Sequence, residues 1–282
     1  MSKYVQKMIG YSLTGAVNEQ RIFCNYGEGS NGKTTLFETI RFILGDYSVD
    51  LPFSALELSR WGNTSTHELV PLYGARFATS SETNDGVRFN EARLKSLSGG
   101  DPITARRMYQ NSFTFLPTHK LWLAFNHKPV VADSSYGFWR RIDLIGYNKK
   151  FTEKEKDETF VLKLQAEAPG ILALAVRGCL LWKNEGLGRP PDVEAATAAY
   201  QQESDTLSQF VSDCCIIDAG AKTASSVLWQ RYLRWTEENE VAGRLSQRTF
   251  IERLAKKLNL QSDRVGHEGN RGWSGIGLRE GT

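Results

Sequence analysis

Cysteine is scarce in this chain, and the four present (Cys24, Cys179, Cys214, Cys215) form no Cys-x-x-Cys pair. Neighbouring Cys214 and Cys215 are poorly placed to bridge each other, because adjacent residues strain disulfide geometry. A disulfide framework and a zinc site are therefore excluded, and a reducing compartment fits. The four histidines (His67, His119, His127, His267) do not group at ligand spacing. No apolar run approaches the 18 residues of a membrane span, and Met1-Ser-Lys-Tyr-Val-Gln-Lys-Met lacks the apolar heart of a signal peptide. These absences give the expectation of a cytoplasmic protein of a bacterium or infected cell. Low-complexity tracts and internal repeats are missing as well. So is a strong charge imbalance: 35 Lys and Arg face 32 Asp and Glu, a net +3 that selects no partner by itself.

Apolar residues are plentiful. With 14 Phe, 10 Tyr and 7 Trp in 282 residues, the chain can bury a large core, and long disorder is excluded. That length accommodates one or two domains. The modest charge is unevenly spread: residues 86–128 hold seven Lys or Arg and two Asp or Glu. A solvated face is the plain explanation, and a nucleic-acid partner the sharper one.

Hydrophobic patterning predicts a helix over residues 1–15, a strand over 21–26, a helix from Thr34 to Leu44 stopped by Gly45, and strands over 75–81 and 120–125. Helices follow over 153–183 and 192–211, split by the Gly/Pro-rich segment 186–191. Beyond residue 206 the spacing predicts an aromatic-rich helix over 226–239. A second helix is capped by Ser246, and a short β-hairpin is expected over 271–278.

Between the first strand and its helix, Gly27-Glu-Gly-Ser-Asn-Gly32-Lys33-Thr34 fits G-x-x-x-x-G-K-[ST] throughout. Glycines let backbone N–H groups surround phosphate oxygens, and the following helix aims its positive end at the same anion. Gly27, Gly29, Ser30, Asn31, Gly32, Lys33, Thr34 and Thr35 are the expected nucleotide-binding set. Lys33 would act on the β- and γ-phosphates of the nucleotide, and the Thr34 hydroxyl would ligate Mg²⁺. The loop alone does not choose a reaction, because kinases and motors share it.

A nucleoside triphosphatase also needs an acid on a second strand. Gly74-Ala-Arg-Phe-Ala-Thr-Ser-Ser81-Glu82 offers Glu82, which either polarises the attacking water and the metal or is an ordinary strand-end carboxylate; Ser81 stands where an Asp is common. The strand over 120–125 ends in Asn126, either a γ-phosphate sensor or a turn residue before His-Lys-Pro. Arg140 and Arg141 are either arginine fingers acting on a neighbouring subunit's nucleotide or members of a surface salt bridge.

Together these residues resemble the superfamily 3 helicases of the phage and plasmid primase type, relatives of the poxvirus primase-helicase. The resemblance runs from Met8-Ile-Gly-Tyr-Ser-Leu-Thr-Gly15 through the phosphate loop. It is strongest at Lys95-Ser-Leu-Ser-Gly-Gly-Asp-Pro-Ile-Thr-Ala-Arg106, at Asn126-His-Lys-Pro129 and at Trp139-Arg-Arg-Ile142. It implies an α/β, AAA+-like P-loop core with a helical segment and a C-terminal winged helix. The corresponding divisions are 1–20 as a remnant of an N-terminal helical domain, 21–150 as the core, 151–205 as the helical segment and 206–282 as the winged helix. The expectation from these divisions is a helicase part without a primase module ahead of the core.

The resemblance further implies ATP hydrolysis with Mg²⁺ in a homo-hexamer that moves on single-stranded and fork DNA beside a separate or fused primase. Glu82 becomes the acid, Asn126 the sensor, and Arg140 or Arg141 the trans finger, with the other an in-cis sensor or a structural residue. A hairpin before the sensor strand would carry Arg106, Arg107, Tyr109 and Gln110 to the DNA. In the winged helix, Gln247, Arg248, Arg253, Lys256 and Lys257 face away from the apolar stripe, with Arg271 and Trp273 on the wing. Arg248, Lys256 and Lys257 are the expected DNA contacts there, although 11 basic against 9 acidic residues over 206–282 also suit a protein-docking face. Two other functions fit parts of this pattern. One is an ATP-switched DNA-binding or loader protein without unwinding. The other is a small-molecule kinase, which would need neither Asn126 nor the arginine pair.

Overall fold

A computed structural model describes residues 1–58, 66–82, 84–241, 244–265 and 270–279. His267 lies outside them. The chain forms two compact units, Met1–Gln202 and Glu203–Thr282.

The first unit runs α1 (Ser2–Ser12), β1 (Ile22–Tyr26), α2 (Lys33–Leu44), β2 (Ser48–Asp50), β3 (Phe77–Glu82), α3 (Glu91–Ser98), β4 (Ile103–Arg106), β5 (Ser112–Phe115), β6 (Lys120–Phe125), α4 (Tyr136–Trp139), β7 (Ile142–Gly146), α5 (Phe160–Ala166), α6 (Ala168–Glu185) and α7 (Pro191–Ser204). Five strands form one parallel sheet in the order β2-β3-β6-β1-β7. β1 and β6 are central, and every residue of Lys-Leu-Trp-Leu-Ala-Phe in β6 is buried. Such a run is what a strand covered on both faces requires.

Alternate residues feed two cores. Ile22, Cys24, Leu121, Leu123 and Phe125 pack with Phe89, Leu94 and Phe138 on one face. Phe23 and Trp122 pack with Phe37 and Ile40 of α2 and with Tyr4, Met8 and Tyr11 of α1 on the other. The Trp122 indole N–H donates to Ser12 Oγ at 3.0 Å, which satisfies a buried donor. α1 lies directly on α6: a Cβ at Gly10 would overlap the Cys179 backbone.

The second unit runs α8 (Thr206–Cys214), β8 (Cys215–Ile216), β9 (Lys222–Ala224), α9 (Ser225–Glu238), α10 (Gln247–Leu258), β10 (Gln261–Val265), β11 (Asn270–Ser274) and β12 (Gly277–Leu278). Its aromatic core joins Phe210, Tyr232, Trp235 and Phe250, with the Tyr232 and Phe250 rings stacked 4.3 Å apart. An antiparallel sheet ordered β10-β11-β9 closes it.

Three predicted elements differ from the structure. The helix expected over 192–211 is two helices, because Asp205 leaves the helical path and accepts the Ser208 N–H as the N-cap of α8. A cap of this kind contributes about 1 kcal/mol. The helix expected from 153 begins at Phe160 and breaks between Ala166 and Ala168, since Pro169 has no N–H to continue the ladder. The hairpin expected over 271–278 is not self-contained: Trp273 pairs on one side with Ser262 of β10 and on the other with Thr223 of β9, while β12 pairs with β8. Among the described residues no single helix is long and apolar enough to cross a membrane; α5 and α6 reach that measure only as a pair bent by 72°.

Candidate nucleotide site and nucleic-acid surfaces

Strand register determines which side chains can meet. Tyr26, the last residue of β1, is level with Phe125, and Phe125 is level with Glu82 of β3. The loop after Tyr26, Asn126 after Phe125, and Glu82 therefore emerge together at the carboxyl edge of the sheet, where open parallel sheets bind ligands.

The loop passes into α2 through Gly32, whose φ of +87° lies in the left-handed region that favours glycine. No side chain caps α2, so its first-turn N–H groups face the loop mouth. Lys33 is 6% exposed. Its ammonium donates to the Gly27 carbonyl and, at 3.2 Å, to Asn126 Oδ1. Burial lowers its pKa, a cost that a phosphate's charge would offset. Thr34 is exposed in the first turn, with Thr35 half-buried beside it. Glu82 Oε1 accepts the Asn84 N–H at 2.7 Å, and Ser81 beside it is exposed. Amide donors, a buried cation, a first-turn hydroxyl and a nearby carboxylate fit a nucleoside triphosphate with a divalent cation. Among the described residues there is no group of three or more His, Cys, Asp or Glu arranged to hold a metal on its own.

The Asn31 side chain also ties the loop down. Its amide donates to the Tyr147 carbonyl at 3.3 Å, bracing the loop against the segment that follows β7.

Arg140 and Arg141 are not part of this cluster. The Ile22 N–H donates to the Arg141 carbonyl at 2.7 Å, and Ile22 is level with Ile142. Both arginines thus stand at the amino edge, about 17 Å from the loop at about 3.3 Å per strand residue. The Arg140 guanidinium donates to Gln20 Oε1, and that of Arg141 to the Gly137 carbonyl. Burial, then the charge of Arg140, lowers the pKa of Arg141, against the opposing pull of Asp101. The residue that is not the finger is expected to be an in-cis sensor or a structural residue; with both arginines at the amino edge, these contacts are structural ones.

β4 and β5 form an antiparallel hairpin between β3 and β6, with residues 107–111 as its turn. Tyr109 is 97% exposed at the tip, beside exposed Met108. Arg106 Nε donates to the Gln110 carbonyl at 3.1 Å and so holds the turn together. The Arg107 guanidinium lies over the Phe113 ring, 5.1 Å from its centroid. In the second unit, Arg248 Nε donates to Glu252 at 2.8 Å, and Lys257 pairs with Asp205 at 2.6 Å. Two of the three basic residues expected to contact DNA there already have carboxylate partners, and Lys256 is exposed.

The patterning missed a buried ion cluster. Asp143 of β7 is fully buried; it accepts from Arg189 Nε at 2.7 Å and Arg21 Nη1 at 3.4 Å, and also from the Tyr4 hydroxyl. The one local signal is an acid inside the apolar run Ile-Asp-Leu-Ile; its partners are remote in sequence.

Residues 25–141 match a family of unknown function, DUF5906, and residues 202–271 match the family described as poxvirus D5 protein-like. Over 259 residues the chain is 27% identical to the protein named "Putative helicase L207/L206" of Acanthamoeba polyphaga mimivirus, covering 85% of this chain and 27% of that protein. It is 28% identical to "Putative helicase 022R" of Frog virus 3 over 77% of this chain and 24% of that one. Against "Putative primase C962R" of African swine fever virus the identity is 25%, over 82% and 27%. The chain thus spans about a quarter of the length of these relatives. Among solved structures, the apo C-terminal region of NrS-1 superposes with a TM-score of 0.54 at 13% identity, over 92% of this chain and 58% of that one, a likeness of fold. These matches relate the chain to the helicase part of the D5-like primase-helicases.

Proposed function

We propose that this chain, as a relative of the helicase part of the D5-like primase-helicases, is the ATP-driven motor of a replicative DNA helicase. The observation that carries the reading is the register of β1, β6 and β3, which brings the loop, Asn126 and Glu82 to one edge while Arg140 and Arg141 stand at the other. One copy holds the phosphates but lacks the cation that would complete the site. A second copy, set amino edge to carboxyl edge, would supply it. A closed ring of copies, a homo-hexamer, satisfies every site in turn.

In this AAA+-like reading, Gly27, Gly29, Ser30, Gly32 and the first turn of α2 bind the phosphates, with Thr35 at the α-phosphate end. Lys33 neutralises the terminal phosphates. Thr34 and Glu82 would hold Mg²⁺, which when bound would supply further neutralisation of the phosphate charge. Glu82 orients and deprotonates the attacking water, and Asn126 fixes the γ-phosphate and that water against Lys33. Arg140 or Arg141 of the neighbour stabilises charge in the transition state.

Tyr109 and Arg107 on the hairpin suit a single strand, through stacking and phosphate attraction without base readout. Arg106 and Gln110 keep the tip in shape. The second unit is read as a winged helix, with Lys256 on α10 and Arg271 on the hairpin left for fork DNA. A primase, separate or fused, is the expected partner.

ATP hydrolysis with and without single-stranded DNA tests the reading, on wild type and Lys33→Ala, with light scattering for mass and a forked duplex for strand displacement. DNA-stimulated turnover by an oligomer, lost in Lys33→Ala and coupled to displacement, is expected. Binding and turnover without displacement would replace the motor with an ATP-switched loader.

A further inference from the structure

We propose that Phe151 is the stacking platform for the nucleotide's base; this rests on the reading of the loop as an ATP site. Lys33, Asn126 and Glu82, the groups suited to the terminal phosphate, all lie on the β6 and β3 side of the loop. A triphosphate with its γ-end there must leave the loop at its other end, toward β7, the strand on the opposite side of β1.

What waits on that side is the segment just after β7. Its backbone is tied to the loop at several points. The Tyr147 N–H donates to the Tyr26 carbonyl at 2.7 Å, and the Tyr147 carbonyl accepts from Asn31. The Phe151 N–H donates to the Ser30 carbonyl at 2.8 Å. The Phe151 ring is thereby carried to the start of α2: a Cβ on Gly32 would come within 4.0 Å of its Cε2. The ring is half-buried, and an aromatic fixed to a phosphate loop by its own main chain can stack a base without readout of its edge.

At present Lys149 covers one ring face, its ammonium 4.6 Å from the centroid, and pairs with Glu155 at 3.0 Å. Both members of that pair are exposed, and such pairs contribute little, so a base can displace the lysine readily. The displaced ammonium stays at the end of the site that would hold the ribose and α-phosphate.

Two roles have to be separated: Phe151 could stack the base, or its packing could simply support the loop. Tripolyphosphate separates them, because it has the phosphates and no base. The affinities of ATP and tripolyphosphate are measured by calorimetry on the full chain for wild type, Phe151→Ala, Phe151→Leu and Lys33→Ala, with melting curves to establish folding. Stacking predicts about tenfold weaker ATP binding in both Phe151 variants with tripolyphosphate binding unchanged. In Phe151→Trp, ATP but not tripolyphosphate should quench the introduced indole. Equal losses for both ligands, or no loss for either, would overturn the assignment while leaving the ATP site standing. Wild type that binds neither ligand, indistinguishable from Lys33→Ala, would overturn the ATP site and this inference together.

Discussion

Lys33 Nζ lies 3.2 Å from Asn126 Oδ1, a contact between residues 93 apart in the chain that holds the loop cation against the tip of β6. The pair fixes where negative charge can be received, because the ammonium is buried and its remaining partners are oxygens. Replacing Asn126 with Ala should lower kcat for ATP about hundredfold, the usual loss of one fixed electrostatic group, with little change in ATP affinity. Lys33→Ala should lose affinity as well. Steady-state turnover and calorimetry on both variants separate the two effects.

The placement of the arginines at the far edge predicts complementation. Lys33→Ala subunits and Arg140→Ala/Arg141→Ala subunits should each be nearly inactive alone. Mixed in equal amounts they should regain part of the activity, because some interfaces then combine an intact loop with intact arginines. Activity no greater than the sum of the separate preparations would mean that the arginines do not work across an interface.

Tyr109 stands clear of the fold, so its loss should leave stability and DNA-free ATPase unchanged. Single-strand affinity should fall about tenfold in Tyr109→Ala, as expected for removal of one stacking group. Arg107→Ala should instead flatten the salt dependence of binding by about one counterion. Fluorescence anisotropy across a salt series reads both.

Asp143 neutralises Arg21 and Arg189 within the core. Asp143→Ala leaves both guanidiniums without their carboxylate, and the first unit should lose about 3–5 kcal/mol. Urea unfolding followed by near-UV circular dichroism measures this. A loss below about 1 kcal/mol would show that water reaches the two arginines and that the cluster is not closed.

Acid should weaken the first unit through His119. Burial, reinforced by the adjacent Lys120 charge, lowers its pKa from 6.5 to about 4. Above pH 6.5 the imidazole is neutral in both folded and unfolded chains. Between pH 6.5 and about 4 only the unfolded chain takes up the proton, so stability falls with pH by about 3 kcal/mol. His119→Phe should be less steep over that interval in denaturant titrations at several pH values.

Local chemistry was legible from residue order alone. The glycine pattern before Lys33 implied a strand, a loop and a helix, because backbone freedom and helix polarity act over a few residues. The apolar run over 120–125 implied a strand, and Ser246 at the start of α10 implied a cap, which it provides by accepting the Thr249 N–H. Tertiary structure alone decided which tips are level. Register across β1, β6 and β3 joins residues far apart in the chain, and no local period records it. The same holds for the arginines at the opposite edge, for Asp143 with Arg21 and Arg189, and for Lys257, paired with Asp205 across 52 positions. Helices, turns and caps follow from short-range sterics and hydrogen bonding, whereas charge pairing and site assembly depend on which distant segments the two cores bring into contact.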